Sequence, residues 1–369
     1  MSRPRCARRI RGRRALTPAS QPRLIIPIIR GMLLFKPRQL WGEVNIVTSF
    51  LIGAGFNADA GRIRTPYDAD CSYPLVSDVA RLCFGLDSVS IPNGKSVENL
   101  FADAHENHDD APMKRLTDKV MEADYYLGST LAASEESNCY RRFFEAFPGS
   151  SFLTFNYDSL PEICLFRMKR WFPDDGYGVP VETDVEIEGL LPPNRRSQSI
   201  VLHLHGSFCL RSSEFELHGN PRGGTGWVDL LPSPKFKFDP DSLSGVFFPY
   251  RRVLPDEGYM TTDGRVIAPV PNKDPQLAQA FVQAIYQRAC GVVRKSDVLI
   301  SIGYSFNVHD CASYDPILLA LEKSPSRRLV VVSPDAQGAA SRLAVEYRHL
   351  SITAVNRTFR QWADGCFPF

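Results

Sequence analysis

Six apolar stretches recur along the chain at the length of short β-strands. Their apolar residues run continuously instead of alternating with polar ones, which is typical of strands buried on both faces. The six stretches cover residues 46–52, 151–158, 200–206, 297–303, 328–333 and 352–355.

Segments with apolar residues at helical spacing lie between these stretches. In 274–289, for example, Leu277, Phe281 and Ile285 fall on one helical face. Further helices are predicted over 74–84, 316–323, up to about residue 349, and around Trp362. The alternation predicts an α/β fold, a Rossmann-like parallel sheet covered by helices on both faces.

The same pattern predicts one domain over 46–369. It carries a helical insertion at about 96–142 and an irregular insertion at about 208–275, where Pro, Gly and aromatic residues show no sustained period. Residues 1–45 are predicted to be a basic, flexible N-terminal extension. An apolar run at 24–35 is interrupted by Pro27 and Arg30 and falls short of the roughly 20 residues of a membrane span.

The charge distribution separates this extension from the rest of the chain. Residues 1–40 contain eleven Arg or Lys and no acidic residue, which leaves 32 basic and 41 acidic residues in 41–369. The body of the protein is therefore an unfavourable surface for nucleic acid, and only the basic extension is suited to contact it. We predict no membrane association.

The nine cysteines include no C-x-x-C pair, so the sequence contains neither a zinc ribbon nor a thioredoxin-type redox pair. An odd number of cysteines and no credible secretion signal predict reduced thiols in a cytoplasmic protein.

The first apolar stretch runs into a glycine turn, Gly53-Ala-Gly-Phe-Asn57, and then into residues able to start a helix. This order offers backbone N–H groups to a pyrophosphate, and the missing Cβ atoms of Gly53 and Gly55 would permit its close approach. An ordinary tight turn is the alternative.

Polar residues also follow three other stretches. Asn156 and Asp158 end the second, His205 and Gly206 the third, and Ser305 follows Gly303 after the fourth. In open α/β sheets ligands bind at this end of the strands. Alternatively, Asn156 and Asp158 cap a turn and His205 is a satisfied core histidine.

These four motifs, in this order, resemble the sirtuin superfamily, the silent-information-regulator-two type of NAD-binding domain. The forms Asn156-Tyr-Asp158 and Gly303-Tyr-Ser305 look most like its bacterial branch of NAD-destroying antiphage defence proteins. The resemblance covers about residues 46–369.

The resemblance implies NAD as substrate, with Asn156 positioning the ribose or water, His205 as general base and Asp158 orienting either of them. Asp335 would accept hydrogen bonds from the adenosine ribose. The predicted cofactor-binding residues are Gly53, Ala54, Gly55, Phe56, Asn57, Gly303, Ser305 and Asp335.

Departures from the family bear on the reaction. The two C-x-x-C pairs that hold zinc in protein-deacylating sirtuins are missing, because only Cys209 lies near the expected place. Phe155 stands where those proteins have Gln, and Asn57 where the family usually has Ser. The sequence therefore predicts no zinc module and favours water over an acyl-lysine as acceptor.

The leading prediction is an NAD glycohydrolase, gated by an activating protein or an oligomer partner. An NAD-dependent protein deacylase and a non-catalytic NAD or ADP-ribose sensor are the alternatives.

Overall fold

Six strands form one parallel sheet in the computed structural model. They are β1 (Thr48–Ile52), β4 (Ser151–Thr154), β6 (Ile200–His203), β9 (Val298–Ile302), β10 (Arg328–Ser333) and β11 (Ser351–Asn356). Across the sheet the order is β11-β10-β9-β1-β4-β6. Numbered along the chain, these six strands have the order 3-2-1-4-5-6 of doubly wound dinucleotide-binding folds.

The structure describes residues 46–67, 69–86, 95–133, 138–183, 185–220, 225–238, 266–267, 269–270, 273–365 and 367. The chain divides into two units, 1–43 and 44–369, and all these residues belong to the second. The prediction for the basic extension at 1–45 lies outside the described residues.

Both faces of the central strand are covered. Phe50 and Leu51 point to opposite faces of β1, and both are fully buried. Phe50 lies beside Phe152 of β4 in register, with ring centroids 5.3 Å apart, and Phe143 packs edge-on against both rings. Burial on both faces confirms the predicted fold class.

Helices fill the connections between strands. They are α1 (Ala54–Asn57), α2 (Val76–Phe84), α3 (Val97–Glu106), α4 (Ala111–Ala123), α5 (Ser129–Ala133), α6 (Cys139–Ala146), α7 (Leu160–Arg167), α8 (Pro173–Gly176), α9 (Val185–Glu188), α10 (Asp274–Leu277), α11 (Ala280–Val293), α12 (Cys311–Leu321), α13 (Ala336–Glu346) and α14 (Phe359–Asp364). A π-helical turn, Asp124–Gly128, joins α4 to α5. The predicted helical insertion thus corresponds to α3 through the start of α6.

The prediction of an irregular insertion over 208–275 needs correction. Strands β7 (Leu210–Asn220) and β8 (Thr225–Phe238) form an antiparallel hairpin there, and the short β5 (Val181–Glu182) pairs with β8 in parallel. A register shift near Ser213 and the prolines at 232 and 234 interrupt the period of two that would reveal these strands in the sequence. The described residues after β8 begin again at Val266.

Two short strands, β2 (Ile63–Arg64) and β3 (Asp70–Cys71), pair antiparallel after the glycine turn. Within the described part of the chain, no helix combines the length and apolarity needed to cross a membrane.

Candidate functional site

The turns that follow β1 and β9 are packed directly on each other. The Gly53 N–H donates to the Ile302 carbonyl over 3.0 Å, and the Gly55 N–H donates to the Gly303 carbonyl over 2.9 Å. The Phe56 N–H donates to the Gly53 carbonyl over 2.9 Å. A pyrophosphate site at this turn, as predicted from the sequence, requires free N–H groups. These three are already used within the protein and are therefore not available to a pyrophosphate. The Ala54 N–H makes no hydrogen bond to the described residues and remains the donor that this turn can offer.

The glycines in both turns serve this close packing of backbone on backbone. A Cβ on Gly53 would stand 2.7 Å from the Tyr304 Cα, and one on Gly55 would stand 2.8 Å from the Gly303 Cα. Gly303 has a φ of +64°, and a Cβ there would lie 2.3 Å from the Phe56 nitrogen. Glycine was predicted to be needed at 53 and 55 for the approach of a phosphate. In the structure the atoms that a Cβ would meet at these two positions, and at 303, belong to the protein backbone.

Phe56 and Asn57 point into the protein. The Phe56 ring is fully buried and packs on Phe359 and Tyr140, with centroids 4.4 and 5.1 Å away. The ring is therefore part of the core, and a contact of Phe56 with a cofactor stays a prediction. The Asn57 side-chain amide donates to Asp158 Oδ2 over 2.6 Å, while Asn57 Oδ1 is buried and makes no hydrogen bond in the described part of the structure.

Asn156 joins the end of β4 to the turn after β1. Its side-chain amide donates to the Gly53 carbonyl over 3.3 Å, and its own N–H donates to Thr154 Oγ1 over 3.0 Å. Its side chain is half-buried. Asn156 therefore lies at the edge of the glycine turns, and its role in orienting a ligand there stays a prediction.

Asp158 orients a different partner from those predicted. It receives hydrogen bonds from the Asn57 amide and, over 3.2 Å, from the Leu160 N–H, and has none with Asn156 or His205. Burial raises its pKa to about 6, although the hydrogen bond from Asn57 opposes the shift. Asp158 therefore orients the side chain of Asn57.

A second buried carboxyl, that of Asp124, lies near Asp158. Asp124 accepts hydrogen bonds from the Ser159 N–H at 2.9 and 3.1 Å and from the Tyr73 hydroxyl at 2.9 Å. Burial, and then the nearby charge of Asp158, raise the pKa of Asp124 well above its usual range. No sequence motif indicates this residue, because it lies in the π-helical turn and not after a strand.

The two histidines of the third strand have different environments. His203 Nε2 pairs with the buried Glu162 of α7, and its Nδ1 lies 3.2 Å from the Asn156 carbonyl oxygen. Burial alone would lower the pKa of His203, but the Glu162 carboxylate raises it overall. His203 is thus a core histidine whose two ring nitrogens both have partners within the protein.

His205 follows the strand and is also buried. Its Nε2 lies 3.1 Å from Ser313 Oγ, and its ring packs on Phe155 with centroids 4.7 Å apart. Burial, and then the charge of Lys273, hold the pKa of His205 well below its usual range. The imidazole is therefore neutral near pH 7 but weakly basic, so it accepts a proton only from a strongly acidic donor, such as a water oxygen that is bonding to a cationic centre.

The loop after β9 carries a strained residue. Phe306 has a φ of +51°, in the left-handed region that bulky residues rarely adopt, and its ring is buried between Tyr304 and Tyr314. Such strain is concentrated at functional sites. Ser305, directly before it, is exposed, and its carbonyl accepts a hydrogen bond from Arg342 over 3.1 Å.

Asp335 lies beyond the end of β10, the neighbour of β9, at the start of α13. It is exposed, and its carboxylate lies against Gly338 of that helix. The structure therefore places it on the same edge of the sheet as the glycine turns but one strand further out.

A cavity of about 280 Å³ lies between α11 and α12 and is separate from the strand-end residues. Its lining consists of Leu277, Gln283, Tyr286, Gln287, Cys290, Arg294, Ala312 and Pro316. No group of three or more His, Cys, Asp or Glu side chains suited to a metal ion occurs among the described residues.

Strand order and strand-end residues together define a doubly wound α/β protein whose candidate site lies between β1 and β9, where the order reverses. In comparisons with known proteins, no family model and no curated protein matches the chain. Among solved structures it is similar to a Sir2 homologue in complex with NAD, at 15% identity and a TM-score of 0.39, over 87% of this chain and 88% of that one. It is also similar to a mutant Sir2 homologue in complex with ADP-ribose, at 14% identity and a TM-score of 0.36, over 87% and 90% of the two chains. The function proposed below is based on the residues of this chain.

Proposed function

We propose that this protein binds NAD at the carboxyl edge of the sheet, between β1 and β9, and hydrolyses its nicotinamide–ribose bond. One observation carries the proposal. The strand order reverses between β1 and β9, and at that point two interlocked glycine turns meet Asn156 and, one strand further on, His205. Open α/β sheets bind nucleotides at such a reversal.

The residues at the reversal suit a dinucleotide. The Ala54 N–H is a donor for one diphosphate oxygen, and the exposed Ser305 hydroxyl is a second donor on the facing turn. Asp335, one strand further out, is an acceptor for ribose hydroxyls on the adenosine side. Asn57 Oδ1, buried with no hydrogen bond to the described residues, is a further polar atom at this turn.

The proposed reaction breaks the bond between the ribose C1′ and the nicotinamide nitrogen. Nicotinamide leaves with the bonding electron pair, the positive charge that it carried passes to the ribose C1′ and ring oxygen, and a water oxygen then bonds to C1′. The water loses one proton, which His205 accepts and passes to solvent. Asn156 holds the ribose or the water, because an amide donates and accepts hydrogen bonds without titrating.

Phe155 favours water over an acyl-lysine as the acceptor of the ADP-ribosyl group. This side chain stands where deacylating sirtuins have Gln. Its ring is stacked on Tyr304, with centroids 4.5 Å apart, and is tilted against His205, with centroids 4.7 Å apart. We include in the proposal a role in antiphage defence and activation by a partner protein or by oligomerisation, since unchecked NAD cleavage would harm the host cell.

The direct test is nicotinamide release from NAD by the full chain, compared with Asn156→Ala and His205→Ala. His105→Ala, at an exposed histidine on α3, is the matched control. Release by wild type and control that is lost in both site variants supports the proposal. Activity that survives both substitutions contradicts it, and acyl transfer from an acetyl-lysine peptide to ADP-ribose would establish the deacylase instead.

A further inference from the structure

The backbone carbonyl of Asn156 is bonded by a side chain where the sheet would otherwise supply a backbone N–H. Strands β4 and β6 pair in parallel up to Thr154 and His203, and the Leu204 N–H then donates to the Thr154 carbonyl over 2.8 Å. A continued ladder would bring the Gly206 N–H to the Asn156 carbonyl. Gly206 instead donates to the His203 carbonyl over 3.2 Å, and His203 Nδ1 lies 3.2 Å from the Asn156 carbonyl oxygen. The imidazole therefore takes the place of the missing backbone donor.

The second ring nitrogen of His203 is held by a carboxyl group. His203 Nε2 pairs with Glu162 of α7, and the two side chains are 1% and 0% exposed. A carbonyl oxygen only accepts hydrogen bonds, so the ring nitrogen that faces Asn156 carries a proton. The carboxyl group fits that state, because it either accepts the Nε2 proton or donates its own proton to Nε2. In both cases Nδ1–H donates to the Asn156 carbonyl.

Three of the four hydrogen-bonding groups of Asn156 are used within the protein. Its N–H donates to Thr154 Oγ1 over 3.0 Å, its carbonyl accepts from His203, and its side-chain amide donates to the Gly53 carbonyl over 3.3 Å. Its side-chain oxygen makes no hydrogen bond within the described residues, and the side chain is half-buried at the glycine turns. The group left for a ligand is therefore an acceptor, which suits a hydroxyl or a water.

We propose that His203, oriented by Glu162, is a positioning residue for Asn156, which it holds so that the Asn156 side-chain oxygen meets a ribose hydroxyl or a water. The proposal rests on the proposed function for the identity of the ligand, whereas the hydrogen bonds belong to the protein alone. Because His203 is buried, it acts through Asn156. Without the Nδ1–H donor the Asn156 carbonyl loses its partner and its backbone is free to shift, and small displacements of an orienting group slow a reaction strongly.

The test compares two double variants of the full chain, both of which remove the buried pair. In His203→Asn/Glu162→Leu the new amide nitrogen lies near the position of Nδ1 and still donates to the Asn156 carbonyl, whereas His203→Leu/Glu162→Leu has no donor there. Nicotinamide release by the second variant is expected to be about ten- to a hundredfold slower than by the first, mainly in kcat. Denaturation curves identify the conditions under which both are folded. Equal kcat values in the two folded variants would overturn the proposal.

NMR of the ligand-free protein gives a readout that does not depend on catalysis. In wild type, with signals assigned through the backbone, a long-range ¹H–¹⁵N spectrum is expected to show a proton on His203 Nδ1 at neutral pH. An unprotonated Nδ1 would overturn the proposal even if the variants do not fold.

The side-chain amide signal of Asn156 separates this proposal from the proposed function. The signal is expected to stay near its wild-type position in His203→Asn/Glu162→Leu and to move or broaden in His203→Leu/Glu162→Leu. The same signal in both variants would overturn the link between His203 and Asn156. If the expected difference is found but wild type releases no nicotinamide, the result supports that link and contradicts the proposed function.

Discussion

The Gly55 N–H donates to the Gly303 carbonyl over 2.9 Å, which joins two turns separated by about 250 residues of sequence. The bond lies where the strand order reverses, so it lies at the base of the proposed NAD site. Any residue larger than glycine at these positions separates the two turns.

Gly303→Ala is expected to destabilise the protein by about 2–4 kcal/mol, because it adds a backbone clash to the cost of a positive φ. Gly85→Ala is the matched control, since Gly85 has a φ of +68° but open space around its Cα. The control is expected to cost about 1 kcal/mol. Chemical denaturation of both variants measures the difference, and equal losses would contradict the interlocking of the turns.

Substitutions of the two histidines at the end of β6 are expected to affect stability and activity differently. His203→Ala leaves Glu162 buried without its partner and is expected to lower the free energy of unfolding by about 3–5 kcal/mol. His205→Ala is expected to cost less stability and to abolish nicotinamide release. Denaturation and activity measured side by side on the two variants check this, and a reversed pattern would show that the roles are exchanged.

Asp158 is expected to give the protein a pH-dependent stability. Its folded-state pKa of about 6 lies above the ordinary value of 3.8 for an aspartic acid, so its contribution to stability is fully present below about pH 4 and is lost as the pH rises through 6. Between these limits the free energy of unfolding should fall by up to roughly 3 kcal/mol on this account. Asp158→Asn is expected to remove that part of the slope, whereas Asp109→Asn at an exposed site leaves it. A slope unchanged by Asp158→Asn would contradict the assignment.

The sequence was sufficient for the sheet because its strands are continuous apolar runs. Phe50 and Leu51 show the reason, since consecutive buried residues exclude an exposed face. The need for glycine at 53 and 55 could also be predicted from the sequence, but the neighbour that excludes a Cβ could not. A local motif does not show that the neighbour a Cβ would strike is another turn 250 residues away.

The surroundings of the site could not be predicted for the same reason. Lys273 reaches Asp310 only because the chain returns across the strand ends, where the Ile267 N–H donates to the His205 carbonyl. Glu162 did carry a usable indication, because a lone acidic residue in the apolar run Leu160–Leu165 suggests a buried partner. Finding that partner as His203 requires knowing that α7 packs against β6.

The most direct test of the central claim is ADP-ribose binding to Ala54→Pro, measured by calorimetry. Proline at this first position of α1 removes the N–H that the turn can offer, and the extended Gly53 before it, with a ψ of −178°, accommodates proline. The account predicts binding about ten- to a hundredfold weaker than in wild type, while Ala54→Ser, which keeps the N–H, binds with near-normal affinity. Wild-type affinity in Ala54→Pro would contradict a diphosphate site at this turn.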